Sequence, residues 1–242
     1  PQEMAARAED VGVAKSKLPW PTQLTLAVLA GAFIALGAVF ATTVAGGTAG
    51  ALPYGLSRLL VGFVFCLGLI LVVVGGAELF TGNNLVVMAV ASRRVTLSRL
   101  LTGWVVVYLG NFVGAVATAL LVALSDQHTF GGGAVGVAAM KIAHAKCSLG
   151  FGQAIILGVL CNALVCLAVW LCYSARTTTD KILSIIFPIT AFVAAGFEHC
   201  VANMYFVPLA LFVQALDPAF AAAHGLALPN LSWGTFLVNN LL

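Results

Sequence analysis

The chain of 242 residues is 62% hydrophobic and only 8% charged, with a mean hydropathy of +1.08 and a formal net charge of +3. A soluble domain carries about 25% charged residues, so these values exclude a water-soluble globular protein and predict an all-α integral membrane protein. So small a net charge gives no basis for a nucleic-acid partner, and the placement of the basic residues becomes the informative quantity.

The chain begins at Pro1 without an initiator Met, and its first apolar run lies too deep for a signal peptide, so the N-terminus is read as trimmed. Residues 1–20 form a polar, amphipathic segment suited to a membrane surface. A spanning helix needs about 20 predominantly apolar residues. Candidates in chain order are Leu24 to Val44, Leu59 to Ala91, Leu100 to Leu124, Leu149 to Tyr173 and Ile182 to Leu216. Leu231 to Leu242 begins a sixth and stops short of a crossing. Residues 21–242 therefore read as one transmembrane pore domain, with a first half at about 21–124 and a second at about 149–242.

The second and fifth segments, at roughly 33 and 35 residues, are too long for simple spans. Each is interrupted near its middle by an acidic, amide-bearing cluster, Gly76-Ala77-Glu78-Leu79-Phe80-Thr81-Gly82-Asn83-Asn84 and Gly196-Phe197-Glu198-His199-Cys200-Val201-Ala202-Asn203. The two clusters share a Gly-x-Glu opening and lie about 120 residues apart. The fifth segment also carries Pro188 and Pro208, and proline breaks the helical hydrogen-bond ladder. Irregular backbone at membrane depth survives only where it is buried in protein or lines a wet cavity. Two broken helices in corresponding halves of a repeat are the pattern of a transporter.

Arg7, Lys15, Lys17, Arg93, Arg94, Arg99, Arg176 and Lys181 fall on one side of the alternating spans, eight of the eleven basic residues. That bias puts the N-terminus in the cytoplasm. Gly31, Gly37, Gly62, Gly68, Gly110 and Gly114 recur at spacings that let helices approach closely. The six cysteines, Cys66, Cys147, Cys161, Cys166, Cys172 and Cys200, have no C-x-x-C spacing and read as free thiols, with no metal site expected.

His199 is the one histidine inside an expected span; His128, His144 and His224 fall in outward loops. Histidine titrates nearest neutrality, so His199 at the middle of a break is a candidate proton donor to a passing weak-acid anion. A histidine satisfied by backbone carbonyls or by Glu198 is the structural alternative. Glu78 and Glu198 fit best as acceptors for the amides exposed at each break, which holds the loops in shape; direct binding of cations or protons is their alternative. Lys146 sits just outside the fourth span, where a basic group gathers anions at a vestibule, although loop lysines are often merely solvated. Phe65, Leu69, Leu79, Phe80 and Phe192 lie near the breaks, as gates that dewet or as ordinary core.

The stretches Ala77-Glu78-Leu79-Phe80-Thr81-Gly82-Asn83 with Asn111-Phe112-Val113-Gly114, Cys166-Leu167-Ala168-Val169-Trp170, and Phe197-Glu198-His199-Cys200-Val201-Ala202-Asn203-Met204 resemble the signatures of the formate/nitrite transporter family. The resemblance runs over essentially the whole chain. It implies an aquaporin-like bundle of six helices with an inverted three-plus-three repeat, assembled as a homopentamer with one pore per protomer. It also implies Thr81 opposite His199, Lys146 as positive charge near the pore, and Asn162 and Asn203 in a polar network. Phe65, Leu69, Leu79, Phe80, Val165 and Phe192 would form apolar constrictions on either side of the histidine. Two departures stand out. The sixth helix is expected to be truncated here, and the loop after Thr81 reads Gly82-Asn83-Asn84, more polar than the Ser- and Thr-containing versions in formate channels.

The expectation is a multi-pass protein of the bacterial inner membrane that moves small monovalent anions, formate first, with nitrite or hydrosulfide as the alternative. Its other partner is membrane lipid, and no cofactor is expected. A water or small-neutral-solute channel of similar architecture needs Asn-Pro-Ala at both half-helix starts, and none occurs. A membrane enzyme holding haem or metal needs paired intramembrane histidines or a Cys/His cluster, so an enzyme is not expected.

Overall fold

The computed structural model describes residues 2–238, and all regular structure among them is helical. The N-terminal segment forms α1 (Gln2–Ser16), followed by α2 (Trp20–Thr48) and α3 (Tyr54–Gly75). Two short helices come next, α4 (Phe80–Asn83) and α5 (Val87–Ala91), joined by a 3-10 turn at Asn84–Val86. The longer α6 (Leu97–Leu124), α7 (Ala134–Cys147) and α8 (Phe151–Cys172) precede α9 (Thr178–Ala195) and α10 (Cys200–Leu216). Two single turns, α11 (Phe220–Ala223) and α12 (Trp233–Phe236), complete the described chain.

Five helices, α2, α3, α6, α8 and α9, are long and apolar enough to cross a membrane. α2 and α6 extend beyond the expected spans, α8 stops just within its own, and α3 and α9 start early and fill only the first part of the two long segments. Thr96 starts α6 by accepting a hydrogen bond from the Arg99 amide, and Thr177 and Asp180 form a reciprocal capping box at the start of α9. The lateral faces of these helices are apolar and open, as at Phe63, Val105, Ile156 and Phe187. Such surface on a bundle is what lipid or neighbouring subunits cover.

The prolines do not break the fifth segment. Pro188 lies within α9 and Pro208 within α10, and both helices continue through them. Each interruption falls at a glycine. Gly76 ends α3 and Gly196 ends α9, both in the left-handed region with φ of 76° and 78°. A side chain there meets steric strain, so glycine is the default helix terminator.

Close helix crossings use the small residues. A Cβ on Gly31 of α2 would collide with the carbonyl oxygen of Asn111 in α6, and one on Gly114 would collide with that of Val28. These crossings set α2 against α6 at backbone contact and fix where Asn111 points.

Two regions differ from expectation. The stretch after α6, read as a loop, contains α7, whose 14 residues are too few to span and which packs against α10 and α2. Its last turn carries His144 and Lys146. The expected sixth element from Leu231 to Leu242 is represented by α12, capped by Ser232 and Thr235, and residues 239–242 lie outside the described residues.

The N-terminal helix packs on the bundle. Arg94 pairs with Asp10 at 2.7 Å and Glu9 at 3.6 Å, Arg99 donates to the Ser16 carbonyl, and Arg7 donates to the Tyr173 carbonyl.

Candidate functional site

The two interruptions are built from the same bonds. After the left-handed glycine, the amide of Ala77 donates to Val72 O and that of Phe197 to Phe192 O, each at 3.0 Å. The next residue is pinned to a neighbouring helix, Glu78 N to Leu26 O of α2 and Glu198 N to Leu157 O of α8. An extended residue follows, Leu79 in one and His199 in the other, and each is the N-cap of a new helix. The cap carbonyls then accept at 2.9 Å from Asn83 N and Asn203 N.

Each glutamate anchors a Lys–Glu–Asn triad. Lys15 of α1 donates to Glu78 Oε1 at 2.6 Å and to Asn83 Oδ1 at 2.9 Å, while Asn83 Nδ2 donates to Glu78 Oε2 at 2.7 Å. On the other side Lys146 of α7 and Asn203 Nδ2 both donate to Glu198 Oε2 at 2.8 Å. A buried carboxylate is tolerable only when paired and hydrogen-bonded. Glu78 is 5% exposed and Glu198 12%, and both have that satisfaction. The short Glu-x4-Asn spacing puts donor and acceptor on the same side of each half-helix start.

The chemistry differs between the interruptions. At the first, Leu79 offers no side-chain cap, and Asn111, fully buried on α6, substitutes. Its Oδ1 accepts from Phe80 N at 2.9 Å, and its Nδ2 donates to Ala27 O and Glu78 O at 2.7 and 2.9 Å. At the second, His199 caps α10 itself, with Nδ1 accepting from Ala202 N at 3.1 Å. That bond fixes the tautomer, because an imidazole nitrogen that accepts a hydrogen bond carries no proton. The neutral ring therefore holds its hydrogen on Nε2, which donates to Thr81 Oγ1 at 3.1 Å, leaving the Thr81 hydroxyl hydrogen free to turn elsewhere.

Thr81 and His199, 118 residues apart in sequence, thus meet where the two interruptions face each other, and both side chains are buried. Phe192 stacks on the His199 ring with centroids 5.8 Å apart, and Phe65 meets Phe192 edge-on at the same distance. Phe65, Phe192, Lys146 and His199 line a cavity of about 310 Å³ on the α7 side. Leu69, Leu79, Glu78 and Lys15 line one of about 290 Å³ on the α1 side. A third, of about 400 Å³, flanks Phe80, Thr81, His199, Asn162 and Asn203 along α8. Asn162 Nδ2 donates to Cys166 Sγ at 3.5 Å, and its Oδ1 is buried with no hydrogen-bond partner among the described residues. Val165 is buried in the core.

The structure thus brings Thr81, His199, Asn162 and Asn203 to one cavity and draws Phe65 and Phe192 against the histidine. Sequence reading quoted Asn83 and Asn111 within longer stretches and Lys15 among the basic residues, but gave none of the three a role at the site. The repeated Glu-x4-Asn spacing was a usable signal for Asn83; nothing in the sequence marked Lys15, in a segment that reads as surface.

This architecture has close relatives. A family model described as Formate/nitrite transporter matches residues 2–242. The formate channel FocA of Escherichia coli strain K12 is 42% identical over 247 residues, spanning 100% of this chain and 86% of the relative. A solved structure described as a pentameric formate channel with formate bound superposes with a TM-score of 0.86 at 41% identity, covering 92% of this chain and 88% of the other. Another, described as an FNT family ion channel, gives a TM-score of 0.74 at 28% identity, covering 99% and 94%. Matched end to end by family, by sequence and by fold, the chain belongs to the formate/nitrite transporter family.

Proposed function

We propose that this protein is a channel or transporter for small monovalent anions, formate first, with Thr81 and His199 at its centre. The observation that carries this reading is the buried contact between Thr81 Oγ1 and His199 Nε2, flanked by cavities on the α7 and α1 sides. The formate-bound relative, described as pentameric, supports the choice of anion and an assembly of five subunits; each protomer then carries its own pore. α3 with Phe80–Ala91, and α9 with α10, act as two broken membrane-crossing units in an aquaporin-like inverted repeat, with halves at about 21–124 and 149–242. The matched bonds at Gly76 and Gly196 support that reading. The protein sits in the bacterial cytoplasmic membrane with residues 1–20 in the cytoplasm, as the Lys/Arg distribution suggests.

An anion leaving water at the Phe65–Phe192 pair faces a desolvation cost of several kcal/mol or more. Three features offset it. Lys146 presents ammonium N–H groups at the floor of the cavity on the α7 side, its charge shared with Glu198. The 17-residue α10 directs its N-terminus at the centre, where a helix end favours negative charge. His199 Nε2–H and the Thr81 hydroxyl then donate to the anion. His199 acts as proton donor, so the anion passes the narrowest point as the neutral acid. The ring first takes a proton from water at Nδ1, which releases the Ala202 cap. It then gives its Nε2 proton to the anion, and the cap re-forms once the Nδ1 proton returns to water and Nε2 is reprotonated. Proton movement is thereby tied to the first turn of α10. Leu69, Leu79, Phe80 and Val165 serve with the phenylalanines as the apolar constrictions, and Asn162 and Asn203 supply polar contacts beside the centre. Nitrite or hydrosulfide is the alternative cargo, favoured by Asn84, an amide on the cavity along α8 in the Gly82-Asn83-Asn84 turn.

Formate uptake into proteoliposomes at several pH values, beside His199→Phe, tests the reading. Saturable uptake that rises with acidity and loses its pH dependence in the variant is expected. Full pH-dependent flux in His199→Phe would remove the proton-donor role. Uptake of nitrite or hydrosulfide but not formate would replace the cargo and keep the channel.

A further inference from the structure

The charge of the cavity on the α7 side does not come from the lysine. Lys146 and Glu198 form an ion pair at 2.8 Å, so together they add little net field to the space they line. Among the described residues Glu198 is the one carboxylate on that lining, and the remaining cation is Arg58, in the second turn of α3. No carboxylate lies within ion-pair distance of Arg58 among the described residues.

Arg58 is held in place by backbone alone. Its Nε donates to Ala194 O at 3.3 Å, and its Nη2 donates to Val193 O. Those carbonyls belong to the last turn of α9, the electronegative end of that helix, where a cation is stabilised. Gly196 lies beside it, a Cβ there coming 3.7 Å from Nη2. A guanidinium has five N–H donors in a planar fork. Two are engaged, leaving three that no acceptor among the described residues uses. A fixed guanidinium with open N–H groups on a cavity wall suits a small carboxylate-like anion, whose two oxygens match the fork.

We propose that Arg58 is the anion-capture residue of the vestibule on the α7 side, concentrating two-oxygen monovalent anions ahead of the Phe65–Phe192 pair. The inference rests on the anion-channel reading above. Lys146, its charge largely spent on Glu198, keeps its N–H groups as close-range donors at the cavity floor and holds the second interruption in place, while Arg58 sets the field that the incoming anion meets.

The roles separate by ionic strength. Screening extends over roughly 30 Å at 0.01 M salt and about 3 Å at 1 M. One charge acting across about 6 Å of watery cavity changes local anion concentration about threefold at low salt. Formate uptake is therefore measured at sub-saturating concentration in proteoliposomes of uniform orientation, for wild type, Arg58→Gln and Arg58→Lys, each first shown to purify as the wild-type assembly. Arg58→Gln is expected to take up formate about threefold more slowly at 0.01 M and at the wild-type rate at 1 M. Its half-saturation concentration rises at low salt while its maximal rate holds. Arg58→Lys retains most of the low-salt advantage. Unchanged low-salt uptake in Arg58→Gln would overturn the proposal. So would an equal loss at both ionic strengths, which marks a purely structural role at the end of α9. A wild type that moves no small anion at either ionic strength overturns the channel reading itself, and this inference with it.

Discussion

The two interruptions share a backbone and differ in who completes it. At Gly76 the helix start after the break is finished by a neighbour, Asn111, reaching from α6 with three hydrogen bonds. At Gly196 it is finished by the residue at the cap, His199, whose other nitrogen faces Thr81. The comparison shows how one local fold can host a purely structural site and a chemical one. Where the cap is borrowed, Leu79 is free to be apolar. Where the cap is a side chain with two nitrogens, one nitrogen holds the helix and the other is committed to the centre.

Substituting Asn111→Leu is the most severe way to break this comparison. It removes three buried hydrogen bonds at about 1 kcal/mol each and strands the Phe80 amide, for a loss of about 3 kcal/mol or more. Thermal unfolding in detergent should show the drop, and suppression by a second substitution near His199 would contradict the assignment to the first interruption. Next come the lysines. Lys146→Met leaves Glu198 enclosed without its cation and should cost about 3 kcal/mol. Lys15→Met strands Glu78, 5% exposed against 12% for Glu198, and should cost as much, about 3 kcal/mol. Equal losses in parallel melts would mean that the two triads carry equal weight.

His199 separates cap from chemistry. His199→Asn retains a good N-cap and should stay within about 0.5 kcal/mol of wild type, whereas His199→Phe loses the cap at about 1 kcal/mol. Both should lose pH-dependent formate uptake. A stable His199→Asn protein with normal pH dependence would detach the ring from transport. Losses of the size of the lost cap are expected at the glycines. Gly76→Ala and Gly196→Ala each place a Cβ in the left-handed region, at about 1 kcal/mol apiece. Matching melting temperatures for the two variants would sharpen the claim that the backbones are equivalent.

The sequence announced the breaks because an ionisable residue in an apolar run is costly and therefore conspicuous. Glu78, Glu198 and His199 were found this way, and the spans were found by length and hydropathy. The partners were not visible. Lys15 reaches Glu78 across 63 residues, Asn111 reaches Phe80 across 31, and Arg58 reaches the end of α9 across 136. Nothing in a residue's own neighbourhood encodes a contact of that kind, which depends on how helices cross. Proline misled for a related reason. Pro188 and Pro208 resemble helix breakers, yet surrounding helices hold α9 and α10 through them, and the turn depends on glycine. The helix α7 was missed because its small-residue run is too short to register as a span.

The order of the charges along the chain has a consequence for biogenesis. Each lysine precedes the glutamate it pairs with, Lys15 by 63 residues and Lys146 by 52. A ribosome feeding this chain into the membrane has therefore already delivered the cation when the carboxylate arrives. An isolated acidic residue at mid-bilayer is penalised by about 3 kcal/mol during insertion. Here the counter-charge waits at the surface, so each acidic segment can be neutralised as it enters rather than after the whole bundle assembles. Reversing that order, as a circular permutation would, is expected to burden insertion even where the finished protein keeps every contact.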